Sequence, residues 1–199
     1  MKKVLLSVLV AAGLSTTAAH AQGVRLGVKA GASLTSFTGK DIEGAKNKFG
    51  FHGGGVAELG LTDNFAIQPE VLFSMKGAKA EDMDGLSFNQ SYIDVPVLLK
   101  FKADGLFFEV GPQVGFLVGS KLKVDDLSVD SKEAFKTVDL GYAAGLGYQS
   151  ASGPMVGLRY NGGLSKIFKE DSFDGIDTEA GRIRNSAFQL YVGYMFGGK

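Results

Sequence analysis

The sequence predicts an all-β fold, an eight-stranded antiparallel up-and-down barrel. Eight stretches alternate apolar with small or polar residues at period two, which sends successive side chains to opposite faces of a sheet. The connections between these stretches alternate long and short. A helix-period pattern is largely missing after residue 21.

Residues 1–21 read as a cleaved secretory signal peptide. Lys2 and Lys3 give a positive start, Val4 to Leu14 an apolar core, and Ala19-His20-Ala21 a small-x-small cleavage site. That core is too short to span roughly 30 Å of hydrocarbon as a helix. The mature chain then begins at Gln22, and residues 22–199 form one domain. No cysteine follows the cleavage site, so no lipoprotein anchor, disulfide or thiol chemistry is available.

The first strand, 24–34, sets Val24, Leu26, Val28, Ala30, Ala32 and Leu34 against Arg25, Gly27, Lys29, Gly31 and Ser33. The second, 49–61, sets Phe51, Ala57, Leu59 and Leu61 against His52, Gly54, Val56 and Glu58. The third, 65–76, sets Phe65, Ile67, Pro69, Val71, Phe73 and Met75 against Gln68, Glu70, Ser74 and Lys76. The fourth, 91–101, sets Ile93, Val95, Val97, Leu99 and Phe101 against Asp94 and Lys100. The fifth, 106–118, opposes Leu106, Phe108, Val110, Val114, Phe116 and Val118 to Glu109, Gly111, Gln113 and Gly115. The sixth, 138–148, opposes Val138, Leu140, Tyr142, Ala144, Leu146 and Tyr148 to Asp139, Gly141, Gly145 and Gly147. The seventh places Val156, Leu158, Tyr160 and Leu164 opposite Gly157, Arg159, Asn161 and Gly163. The last places Phe188, Leu190, Val192, Tyr194 and Phe196 opposite Gln189, Tyr191 and Gly193.

The short connections are 62–64, 102–105 and 150–153; the long ones are 35–48, 77–87, 119–137 and 165–184. Short turns on one side and long loops on the other, with an even strand number, are the rhythm of an outer-membrane barrel. Both termini then lie on the periplasmic side.

Which face is wet follows from the charges. One face carries five bases (Arg25, Lys29, Lys76, Lys100, Arg159) and five acids (Glu58, Glu70, Asp94, Glu109, Asp139) among many glycines. An eight-stranded barrel has an interior barely wide enough for side chains. Buried charges must be paired, so an even balance fits an internal ion-pair network. The opposite face carries no charge in these spans, and its aromatics gather near the strand ends, as at a lipid interface. A soluble, exported, lipocalin-like barrel is the competing architecture, with the polar face turned to water. Its polar face is too small and glycine-rich for a solvated surface.

Three prolines, Pro69, Pro96 and Pro112, fall within strands and should demand bulges. They also carry a resemblance. Gln68-Pro69-Glu70-Val71-Leu72-Phe73-Ser74, Tyr92-Ile93-Asp94-Val95-Pro96-Val97-Leu98-Leu99-Lys100 and Glu109-Val110-Gly111-Pro112-Gln113-Val114-Gly115 resemble the PorT-like, porin-like outer membrane β-barrel domain family of Gram-negative bacteria. So do Gly27–Gly31 and Arg159-Tyr160-Asn161. The resemblance covers essentially the whole mature chain and implies an eight-stranded transmembrane β-barrel, usually without an assigned activity. The family's namesake is linked to protein secretion, but motifs shared by every such barrel do not carry that role over. The chain ends in Gly197-Gly198-Lys199, whereas many such barrels end on the aromatic itself.

Little else points to chemistry. His52 is the one histidine of the mature chain; a lipid-modifying enzyme would need it beside a serine and a carboxylate. Glu58 shares its face but lies six residues on, roughly 20 Å along a strand. Glu170, Asp171, Asp174, Asp177 and Glu179 lack calcium-loop spacing and are bracketed by Lys166, Lys169, Arg182 and Arg184, so they read as a solvated loop. Asp125, Asp126 and Asp130, among four lysines, read the same way. The Gly53-Gly54-Gly55 run lacks a lysine-serine continuation for phosphate. Without the signal, 19 bases face 21 acids, which speaks against nucleic acid. A water-filled diffusion pore needs about sixteen strands.

The reading is an integral outer-membrane barrel with a charge-filled lumen, no cofactor, no metal and no enzymatic activity. Its role is structural or binding, exerted through four long external loops. The alternatives are a small-molecule-binding or narrowly conducting barrel and a lipid-modifying enzyme. The expected partners are outer-membrane lipid, the barrel assembly machinery during biogenesis, and an unidentified extracellular or envelope protein.

Overall fold

A computed structural model of the chain describes residues 23–39, 45–80, 87–124, 127–132, 135–167 and 183–197. The expected signal peptide lies outside these residues. So do Asp125, Asp126, the acids Glu170 to Glu179 with Lys169 and Arg182, and the terminal Gly198-Lys199.

Eight strands build one wall: β1 Val24–Thr38, β2 Lys48–Gly60, β3 Phe65–Lys76, β4 Ser87–Ala103, β5 Leu106–Val124, β6 Val138–Gln149, β7 Pro154–Gly163 and β8 Arg184–Met195. Each pairs antiparallel with the next. β8 returns to β1, from Gly27 opposite Met195 to Thr38 opposite Arg184. The ring is closed, so the eight strands leave no open sheet edge toward hydrocarbon.

The turns at one end are tight. Asp104 and Gly105 both take positive φ, 51° and 85°, the signature of a two-residue type I′ hairpin loop. The expected 102–105 turn is therefore shorter, because Asp-Gly alone closes the hairpin. Lys102 and Ala103 remain in β4, paired with Phe107 and Leu106. At the other end the strands run further than apolar alternation indicates. β4 and β5 stay paired out to Ser87 opposite Lys123, and Leu127–Asp130 adds to β5. Ala45–Lys46 pairs with Lys79–Ala80. These extensions are held by backbone bonds between short segments rich in polar residues, where alternation such as Leu122 and Val124 beside Lys121 and Lys123 is too brief to mark a strand.

The prolines do not create bulges. Pairing lapses beside each of them on the preceding strand: at Ala57 and Glu58 near Pro69, at Glu70 and Val71 near Pro96, and at Val97 and Leu98 near Pro112. It then resumes in the same register. A proline withholds one donor, and the bonded pairs on either side hold the strands in place. The one register shift in these ladders falls between Ser91 and Tyr92, away from all three.

Side chains segregate by face. Outward residues such as Phe188, Val192 and Leu158 are 65%, 62% and 57% exposed, while inward neighbours are buried. Aromatic pairs mark both ends: Phe65–Phe101 and Tyr194–Phe196 near the turns, Phe51–Phe73 and Tyr160–Phe188 nearer the loops.

An arginine in place of Leu158, midway along β7, is expected to destabilise the barrel by about 2–4 kcal/mol in lipid vesicles. Reversible denaturant unfolding measures it. A neutral effect would mean that this wall meets water.

Candidate functional site in the barrel interior

Period two turns the charged residues inward, and the narrow bore forces them together. Lys29, Glu58, Glu70, Lys76, Asp94, Lys100, Glu109, Asp139 and Arg159 are all buried. Arg25 differs: its side chain is 26% exposed at the turn-side mouth. The charges form three tiers along the axis.

The tier nearest the turns centres on Glu58. Lys102 and Lys100 donate to it at 2.8 and 3.0 Å, and Arg25 stands 3.9 Å away. Lys100 also donates to Gln68 Oε1 and Gln149 Oε1 and sits 4.4 Å over the Phe107 ring.

The middle tier spans the bore between odd-numbered strands. Arg159 on β7 forks onto Glu70 on β3, Nη1 to Oε2 at 2.7 Å and Nη2 to Oε1 at 2.9 Å. Its Nε donates to Glu109 Oε1 on β5 at 2.7 Å. Lys29 on β1 lies 2.7 Å from Glu70 Oε2 and 4.4 Å over Tyr191. The Tyr191 hydroxyl donates to Glu109 at 3.0 Å. Gln68 Nε2 donates to Glu70 Oε1, joining this tier to the one below. Two cations and two carboxylates thus neutralise one another, and bidentate geometry is the strong form of such pairing.

In the outer tier Lys76 donates to Asp94 at 2.8 Å and stands 3.8 Å from Asp139. Asn185 and Ser165 donate to the two Asp139 oxygens at 3.0 and 2.9 Å. Lys76 lies 4.5 Å over Tyr92. Above it, Tyr92, Leu117, Phe135 and Ile167 form a buried apolar cluster joined by Phe37, Phe88 and Ile183. Phe135 and Ile167 come from the long connections, so loop residues close the outer mouth.

Glycines make this packing feasible. A Cβ on Gly157 would stand 2.5 Å from the Tyr191 ring, and one on Gly115 would stand 2.6 Å from Asp94 Oδ1. A methyl at either position displaces a member of the network.

His52 does find a serine. Its Nδ1 lies 2.9 Å from Ser33 Oγ, a diagonal neighbour on β1, and its ring stands edge-on to Tyr191. Glu58 is bonded elsewhere, and Glu70 and Glu109 are held by Arg159. His52 and Ser33 are buried in the bore, away from the lipid-facing wall. The tier partners Lys102, Gln149, Tyr191, Tyr92 and Asn185 were not among the expected network. The inward position of Tyr191 was the available signal for one of them. Among the described residues no group of three or more His, Asp or Glu side chains could hold a metal.

The family described as "Outer membrane protein beta-barrel domain" matches residues 18–169, and the chain belongs to it. No curated protein matches the chain in sequence. Among solved structures it is similar to Ail, the attachment invasion locus protein of Yersinia pestis, at 17% identity and TM-score 0.53, over 88% of this chain and 99% of that one. It is likewise similar to Neisserial surface protein A, at 14% identity and TM-score 0.55, over 86% and 97%. Ail in complex with the heparin analogue sucrose octasulfate aligns at 14% identity and TM-score 0.50, over 87% and 99%. These likenesses are ones of fold. The protein is an eight-stranded barrel of the Gram-negative outer membrane, and the soluble alternative falls.

Arg159→Ala leaves Glu70 and Glu109 short of their shared partner and is expected to cost about 3–5 kcal/mol. Arg25→Ala, at the partly exposed mouth, should cost under about 1 kcal/mol. Denaturation midpoints in detergent check both, and equal midpoints would contradict the buried network.

Proposed function

We propose that this outer-membrane barrel is a closed, non-enzymatic anchor whose role is structural or binding and is exerted through its long external loops. One observation carries the reading: the bore is occupied along its length, by three tiers of paired charges and then by the apolar cluster around Tyr92 and Phe135. Desolvated charges locked in ion pairs, with Arg159 forked onto Glu70, leave no path for a hydrated solute. The narrow-conduit alternative would require that network to open. The lipid-modifying alternative would require lipid to reach His52 through the wall. The secretion link of the PorT-like family has no counterpart in the strand motifs that carry the resemblance.

Planar-bilayer recordings are expected to show no steady conductance. Protease added to intact cells is expected to cut within the long connections 35–48, 77–87, 119–137 and 165–184 while sparing the turns at 62–64, 104–105 and 150–153. Steady single-channel currents would overturn the closed-anchor reading. Cutting at the short turns of intact cells would overturn the loop assignment. Lipid A of altered mass that reverts in His52→Ala would establish the enzyme instead.

A further inference from the structure

One cavity lies on the outside of the barrel. A groove of about 480 Å³ crosses β1, β8, β7 and β6 on the lipid-facing wall. Its form follows from register. Leu34, Phe188, Tyr160 and Ala144 are successive cross-strand partners and make the upper bank. Ala32, Leu190, Leu158 and Leu146 are likewise partners and make the lower bank. The floor is the backbone of the inward residues between them, Ser33, Gln189, Arg159 and Gly145. Each bank steps down to an alanine at one end, so the channel stays open at both ends.

The groove is sloped. Beyond Leu34 it reaches Phe49, the second residue of β2, at the loop end of the wall. At its other end it reaches Ala144 and Leu146, past the middle of β6. Above the high end the outward face turns polar: Arg184, Ser186, Ser36, Thr38 and Asn47 replace the apolar residues. Arg184 is exposed, faces outward as Phe188 does, and pairs with Thr38, roughly 13 Å along the strand from the groove.

We propose that this groove binds one acyl chain of an anionic lipid of the outer leaflet, with Arg184 meeting its phosphate. The wall faces hydrocarbon, so an unfilled indentation forfeits dispersion contacts that a flexible chain supplies. A water's share of liquid volume is about 30 Å³ and a methylene is similar, so the groove holds roughly sixteen such units, the scale of one acyl chain. The slope runs from the headgroup level toward the bilayer centre, as an outer-leaflet chain does. Among the described residues the outward cation Arg184 stands beyond its high end, which selects an anionic headgroup over a zwitterionic one.

The chain contains no tryptophan, so single-tryptophan variants report locally. Leu146→Trp places the reporter in the groove, and Val71→Trp places one on outward-facing β3. Both proteins are refolded into vesicles containing brominated phosphatidylglycerol or brominated phosphatidylcholine, and quenching is compared. At Leu146→Trp a preference for phosphatidylglycerol of about threefold or more is expected, against a ratio near one at Val71→Trp. Adding Arg184→Gln should abolish the preference, and adding Ala144→Leu should weaken quenching by both lipids. Equal ratios at the two reporters, or a preference that survives both added substitutions, overturns the proposal. Protection of the groove reporter from both lipids in crosslinkable dimers would assign the groove to a second copy of the chain and overturn it too.

Discussion

Arg159 holds the interior together because it reaches across the bore to two carboxylates on two different strands. A charge inside a closed eight-stranded wall meets neither bulk water nor counterions, so its partners must come from the wall itself. The middle tier satisfies this with four charges from β1, β3, β5 and β7, which makes the tier a cross-brace. Deleting one brace member therefore disturbs strands on opposite sides of the cylinder. The aromatic rings beneath Lys29, Lys76 and Lys100 fill space between tiers and face the cations with their negative quadrupoles. The inward glycines belong to the same device: Gly157 exists for Tyr191, and Gly115 for Asp94.

The ladder and the brace divide the work. The ladder closes the cylinder and tolerates three prolines, each of which interrupts pairing beside it without moving the register. That tolerance is local, since every interruption is flanked by bonded pairs. The brace has no such redundancy in its centre, where Glu109 relies on Arg159 and Tyr191. At the mouth near the turns Glu58 has three cations within reach, so loss of one is shared by the rest.

How much was legible in the sequence follows from the same division. Strict alternation names the face of residues on either side of the one irregularity, where Leu117 and Ser120 are both buried, and loop rhythm orders the strands around the ring. Which inward charge meets which is another matter. Glu70 and Arg159 are 89 positions apart and meet only because closure sets β3 across from β7. A turn over 102–105 conceals Lys102; the Asp104-Gly105 hairpin restores it to β4 and to Glu58. Ser33 was hidden because diagonal neighbours depend on register, which a single sequence does not encode. The extension of β4 and β5 is mostly polar, with Phe88 opposite Leu122 as its apolar pair, so its periodic signal is too short to stand out.

The two ends of the cylinder are closed by different physics. Near the turns the barrel is stopped by charge, with Arg25 and Lys102 partly exposed to the aqueous side. At the loop end it is stopped by apolar packing of Phe135 and Ile167 on Tyr92, in segments joined to one another by backbone bonds from Lys136 to Ile167 and from Ile167 to Ile183.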